Sequence, residues 1–247
     1  MLRKKARIER LPSFASIMGE TPSLHMLQTC PFCWKVRGMT DYLKIDVNQV
    51  QVNAMKTKKE LAFAGDWGKV PVWTSSSGEV VVDSSPILKY IDKEHFDGKI
   101  SARGDGEKNE KWLEWADTKL SKATVPILYG TLGSAFKTTI RVARLEKFGF
   151  ISRRLYAWAG FPIMWGIIAK KRIKNDGRSP KNLWHDLLDE FTAEFENSTF
   201  FAGDEPGIVD FAAYGYMKSI SPFPQFAQLT DHAEGMKWYN SMEKATS

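Results

Sequence analysis

Thr29-Cys30-Pro31-Phe32-Cys33-Trp34-Lys35-Val36-Arg37 sets two cysteines two residues apart, with a proline directly after the first. Proline is at home in the first turn of a helix, where its missing N–H costs nothing. Beyond it, Trp34, Val36, Met39 and Leu43 recur at helical spacing as far as about Ile45. The motif therefore predicts a helix that opens on a sulfur. A thiolate there faces unpaired backbone N–H groups and the positive end of the helix dipole, which lowers its pKa. Cys30 is the exposed nucleophile in this reading, and Cys33, one turn in, resolves a mixed disulfide. Two structural cysteines that merely lie close together are the plainer alternative.

Outward from the motif the pattern alternates. Leu24 and Met26 lead in as a strand, and Val47, Val50 and Val52 suggest a second. Residues 55–64 read as a short helix closed by Gly65. Val70–Trp73 and Gly78–Val82 read as third and fourth strands around a serine-rich turn. Asp83-Ser84-Ser85-Pro86 then caps a helix carrying Ile87, Leu88 and Ile91. The order β-α-β-α-β-β-α predicts an α/β, thioredoxin-like domain over residues 22–96. A linker rich in Gly, Asp and Lys follows at 97–106. Residues 107–247 read as all helix, with Trp112, Trp115, Ala116 and Leu120 on one face. Later helices are expected near 134–148, 151–174, 181–197, 207–219 and 235–245.

Two further elements accompany the cysteines. Pro71 stands about 40 positions after them, before the third strand. In this layout a proline there is cis and lies opposite the thiol, leaving the backbone of Val70 free for an extended peptide. An edge-strand or turn proline would read the same in isolation. Asp83 and Ser84, at a helix N-terminus, suit the charged ends of a glutamyl group. A plain helix cap would look identical.

The bulk composition is that of a globular protein, with 43% hydrophobic and 26% charged residues. The net charge of +6 is unevenly placed: residues 1–10 carry +4 and residues 170–181 carry +5, leaving −3 for the rest. Two basic patches on an acidic body suit an anionic membrane surface or an acidic partner, and exclude a nucleic-acid groove, since no motif of that kind accompanies the charge. Two cysteines are too few for a disulfide-stapled fold. The four histidines have no ligand spacing, so no metal site is expected.

Residues 1–21 form a basic, acid-poor tail containing Ser13 and Ser16. This reads as an organelle-targeting segment or as a solvated tail. Leu155–Ala169 is uncharged over 15 residues between Arg153-Arg154 and Lys170-Lys171-Arg172. It is too short to span a bilayer, and Pro162 is expected to break it. A buried helix, or a surface that meets a membrane or protein partner, are the two readings.

With TCPFCWKVR at 29–37 stand Lys69-Val-Pro71, Asp83-Ser-Ser85, Lys111-Trp-Leu-Glu-Trp-Ala-Asp117, Lys147-Phe-Gly149 and Asp210-Phe-Ala-Ala-Tyr-Gly215. Together, from about Leu24 to Ala245, they resemble the membrane-associated prostaglandin E synthase type 2 family, glutathione-transferase-like proteins. The resemblance implies an α/β thioredoxin-like domain followed by an all-α glutathione-transferase-type domain. It also implies glutathione as cofactor, with haem beside it in some members, and a small lipophilic substrate, prostaglandin H2, isomerised to prostaglandin E2. Carried over by position, Cys30 is the reactive thiol, Cys33 the second thiol, and Val70, Pro71, Asp83 and Ser84 the glutathione site. Gly207 and Asp210 resemble the structural capping box of the transferase helical core. The family also implies a membrane-associated, organellar protein, mitochondrial rather than cytoplasmic. Two departures stand out. Leu27 occupies the place of the family's tyrosine, and the family's interdomain insertion shrinks to Phe96–Gly106.

Three functions compete on this reading. The first is a glutathione-dependent isomerase, transferase or reductase at Cys30. The second is a non-catalytic accessory subunit docked in a membrane assembly through residues 1–20 and 153–174. The third is a glutaredoxin-like reductase of protein disulfides.

Overall fold

A computed structural model describes residues 21–146, 148, 149, 154, 156–195 and 197–247. The basic tail up to residue 20, and residues 151–153 and 155 of the expected 151–174 helix, lie outside the described residues.

The first half builds a four-stranded sheet with helices against it. Strand β1 (Ser23–Met26) leads into helix α1 (Pro31–Tyr42), with Pro31 in the first turn and Cys30 at the N-cap. Strand β2 (Asn48–Gln51) follows, then a short helix α2 (Thr57–Glu60) and a 3₁₀ turn that ends at Gly65, φ +67°. Strands β3 (Val72–Thr74) and β4 (Val80–Val82) precede helix α3 (Ser84–Phe96). The sheet order is β2-β1-β3-β4. Strands β1 and β2 are parallel, with Leu24 opposite Gln49, and need the crossover that α1 provides. Strand β3 is antiparallel to both neighbours: Trp73 faces Leu24 on one side and Val81 on the other.

Alternation explains the packing. Leu24 and Met26 point from β1 to the helix side and are fully buried with Val36 and Met39 of α1 and Ile87, Leu88 and Ile91 of α3. This is a thioredoxin-like domain. Helix α3 ends at Asp97 in the left-handed region, φ +55°. Its buried Asp92 then accepts the N–H groups of Ile100 (3.0 Å) and Ser101 (2.7 Å), which ties the connection back onto the domain.

The second half is helical. Helix α4 (Gly106–Trp115) is capped by Asp105 and opens on the last residue of the expected linker. A π-type turn, Ala116–Leu120, carries it into α5 (Ser121–Tyr129). Helix α6 (Leu132–Leu145) follows. A helical run then passes through π-type segments Tyr156–Gly160 and Ile163–Ala169 into α7 (Lys170–Asp176). Helices α8 (Pro180–Thr192), α9 (Ile208–Ile220) and α10 (Ala233–Thr246) complete the described chain.

The expectation that Pro162 breaks this run is corrected. Its backbone is helical, φ −62° and ψ −36°, and the run continues through it. The wider π-type turns on either side accommodate the missing N–H and the ring that a regular α-helix would reject.

The halves join along α1 and α9. Gly215 makes this possible, since a β-carbon there would come within 2.6 Å of the Lys35 backbone nitrogen and 2.8 Å of the Pro31 carbonyl. At the start of α9, the buried Asp210 accepts the N–H groups of Phe201 (2.9 Å), Ala202 (3.3 Å) and Gly207 (2.9 Å), and the indole Nε1–H of Trp238 (2.9 Å).

Candidate functional site

The extended backbone of Cys30 turns into α1, and its carbonyl accepts the N–H groups of Cys33 and Trp34, each at 3.1 Å. Cys30 is half-buried and Cys33 fully buried, both as free thiols. A hydrogen bond from the Cys33 thiol draws the Cys30 pKa below the ordinary value. Burial opposes this, while the N–H groups of Cys33 and Phe32 add to it. Burial first, then the shared hydrogen bond, pushes Cys33 well up. The pair is therefore unequal: the more exposed sulfur ionises more readily, and Cys33 is the donor thiol beneath it.

The remaining carried-over residues sit around α3 and β3. The Val70–Pro71 peptide is cis, with Val70 half-buried and Pro71 buried. Asp83 is exposed, with φ +72°, and its Oδ1 caps the N–H of Ser84 at 2.7 Å. The Ser84 hydroxyl is buried and has no hydrogen-bond partner among the described residues.

Two carboxylates to which the sequence reading gave no role, Asp117 of the quoted 111–117 stretch and Glu146, hold this region from the helical half. Asp117 pairs with the fully buried ammonium of Lys35, and accepts the hydroxyls of Ser85 (3.0 Å) and Tyr216 (3.0 Å). It thereby fixes α1 and the N-terminus of α3 together. Burial lowers the Lys35 pKa, and Asp117 works against that. Glu146, just past α6, accepts the N–H groups of Gln28 (3.1 Å) and Thr29 (2.7 Å), the Thr29 hydroxyl (2.5 Å) and the Gln51 amide (3.2 Å). The loop that presents Cys30 is therefore pinned by a carboxylate from the other half of the protein. Nothing local in the sequence signals Glu146, whose partners on that loop lie 117 and 118 residues away.

A cavity of about 380 Å³ opens over Cys30. Its wall comes from α1 and from the helical half, and Val70, Asp83 and Ser84 lie outside it. Two phenols line it, Tyr129 and Tyr156, with their oxygens 3.4 Å apart. Burial raises both pKa values, so both are protonated donors at neutral pH. A larger hollow, about 620 Å³, lies between Asp189 and Ser241 and contains no thiol.

Haem fits this wall poorly. Among the described residues no histidine lines the cavity, and the phenols resist the ionisation that a tyrosinate ligand needs. Among the described residues Cys30 is the one thiol in the lining, and it is the sulfur that glutathione chemistry requires. No step is assigned to haem.

Known proteins share this fold. Residues 24–99 match the family model for the glutathione S-transferase N-terminal domain, and residues 167–245 match that for the C-terminal domain. Prostaglandin E synthase 2 of Danio rerio is 27% identical over 91% of this chain and 71% of its own length. The Mus musculus protein of that name is 24% identical over 90% and 70%. Among solved structures, a glutathione S-transferase I bound with lactoylglutathione superposes with a TM-score of 0.62. It is 15% identical, over 92% of this chain and 98% of its own, a likeness of fold. The chain, a thioredoxin-like half bearing the two thiols and a helical half closing over them, belongs to the glutathione S-transferase family and is similar within it to the prostaglandin E synthase 2 proteins.

Proposed function

We propose that the protein is a glutathione-dependent thiol enzyme in which Cys30 acts on a small lipophilic substrate. One observation carries this reading: the sulfur at the α1 N-terminus receives a hydrogen bond from Cys33 and opens onto a cavity. Glutathione would lie on the thioredoxin-like half. Val70 would bond its backbone, and Asp83 with Ser84 would take its γ-glutamyl end, a role that the unpartnered Ser84 hydroxyl supports. Any disulfide formed between Cys30 and Cys33 is returned to two thiols by exchange with two glutathione molecules, which leave as glutathione disulfide.

The specific reaction proposed, by likeness to the named relatives, is isomerisation of prostaglandin H2 to prostaglandin E2, with related transfer or reduction at Cys30 as neighbours. The thiolate attacks the peroxide oxygen on C9. An S–O bond forms, the O–O bond breaks, and the released alkoxide takes a proton. A base then removes the C9 hydrogen, the carbonyl forms, and the S–O bond breaks to regenerate the thiolate. Leu27 removes the family's hydroxyl beside the thiol. The protonated pair Tyr129 and Tyr156 supplies donors in the same cavity.

The test is reaction with glutathione disulfide across a pH series. In Cys33→Ser protein, which cannot resolve the product, one glutathionyl adduct is expected at Cys30 by mass spectrometry. Its rate should rise with pH as thiolate forms and level off below the ordinary thiol midpoint of about 8.5. No adduct, or a midpoint at or above that value, counts against the reading.

A second reading, an accessory subunit held at an organellar, mitochondrial membrane, is favoured by one surface. Trp158 is 83% exposed, Ile167 63% and Phe136 60%. Phe136 of α6 meets Phe161 edge-on at 6.4 Å, so the two helical segments share one apolar face. The charged residues of α6 are Lys137, Arg141 and Arg144, and those flanking the apolar run are Arg154 and Lys170–Lys174; none is acidic. Basic residues bordering exposed aromatics suit shallow contact with anionic lipid. Among the described residues no helix is long and apolar enough to cross a membrane. Replacing both Trp158 and Ile167 by Asp is expected to reduce co-sedimentation with phosphatidylserine-containing vesicles about tenfold or more, since each change removes an apolar anchor and adds like charge to the lipid. Equal sedimentation of variant and parent would dismiss this surface.

A further inference from the structure

The cavity over Cys30 carries a cation for which the described residues supply no counter-charge. Arg172 of α7 lines it, and its Nη1 donates to the carbonyls of Ser121 (3.1 Å) and Lys122 (3.3 Å). Those two bonds fix the guanidinium against the first turn of α5 while its other nitrogens keep their donors. No described carboxylate pairs with it. Asp176, one turn further on, is held instead by Arg178, with Nε to Oδ1 at 2.7 Å. Burial lowers the Arg172 pKa, and no neighbouring anion restores it. A partly buried cation in this condition has donors available to an incoming anion.

The remaining wall says what kind of molecule brings that anion. Phe32, Val125, Leu128, Val142, Met164 and Phe223 make most of it apolar, and among the described residues no Asp or Glu lines it. A polar peptide such as glutathione would bury amide groups against those side chains without partners. A carboxylate on an apolar body satisfies both ends, since the free donors of a guanidinium match a carboxylate in parallel pairs.

We propose that Arg172 receives the carboxylate of an apolar acid whose body lies along this wall towards Cys30, making Arg172 the residue that selects the lipophilic substrate. That the bound acid is turned over rests on the thiol-enzyme reading above; that it binds does not.

Titration calorimetry on the full chain, with dodecanoate, 1-dodecanol and glutathione as separate probes, tests it. The parent should bind dodecanoate at least about tenfold more tightly than dodecanol, as expected for a charge-assisted hydrogen-bonded pair. Arg172→Gln should erase that preference and leave dodecanol affinity unchanged. Arg172→Lys, which keeps the charge without the fork, should retain part of it. A bulky maleimide on Cys30 should block dodecanoate, placing the ligand in this cavity. Equal affinity of the parent for acid and alcohol would overturn the proposal. So would equal loss of both in Arg172→Gln, or dodecanoate binding that survives the maleimide. Glutathione affinity should be the same in all three proteins; its absence throughout would count against the glutathione reading and leave the Arg172 assignment standing.

Discussion

Cys30→Ser protein is expected to lose glutathione-dependent turnover by about 10³-fold or more, a loss of roughly 4 kcal/mol of transition-state stabilisation. The thiolate is the nucleophile, and a serine hydroxyl with no adjacent base stays protonated. The fold should hardly notice, because Ser nearly matches Cys in volume and the half-buried position packs little. An unchanged melting temperature beside lost activity is therefore the signature of a chemical role. Cys33→Ser should behave differently. The buried position still offers a hydroxyl donor to Cys30, so any step needing one thiol survives, while steps that must release a mixed disulfide slow. Full activity in Cys30→Ser protein would show that another group, or the glutathione sulfur alone, does the chemistry.

Asp210→Ala should damage the fold rather than the chemistry. The carboxylate gathers three backbone N–H groups and the Trp238 indole at 2.9 to 3.3 Å in a fully buried position. Its removal leaves three buried donors and one part-buried donor without an acceptor, each buried one costing about 1–3 kcal/mol before relaxation. With partial collapse and water entry, a net loss of about 4 kcal/mol is expected, which in a protein of this size lowers the melting temperature by about 8–16 °C. Asp210→Asn should cost about half as much, since one amide oxygen still accepts while its NH₂ faces donors. Equilibrium denaturation of both variants reads this directly. A loss below about 1 kcal/mol in Asp210→Ala would mean the network contributes little to holding α9 and α10 together.

The elements that carried the sequence reading are those whose cause is local. Pro31 starts α1, Asp83 caps α3, and Gly207 with Asp210 opens α9. In each case a few adjacent residues contain the whole physical reason, so the thioredoxin-like order and the helical second half could be read directly. The cavity was not legible in this way. Tyr129, Tyr156 and Arg172 belong to three segments with no shared spacing, and only the packing of helices brings them to Cys30. The Lys35 pairing was equally hidden, because nothing in its neighbourhood announces Asp117, 82 positions away. Pro162 misled for the opposite reason. The local rule is sound for a regular α-helix, but the turns around it are wider.

Glu146 has a consequence for how this molecule can be divided. By holding both backbone amides ahead of the sulfur, it makes the reactive geometry a joint property of the thioredoxin-like half and the helical half. The first hundred residues, cut free, would retain every atom of the cysteine pair and lose the constraint that aims it. Transplanting the motif onto another scaffold would therefore carry its chemistry only if a distant acid travelled with it.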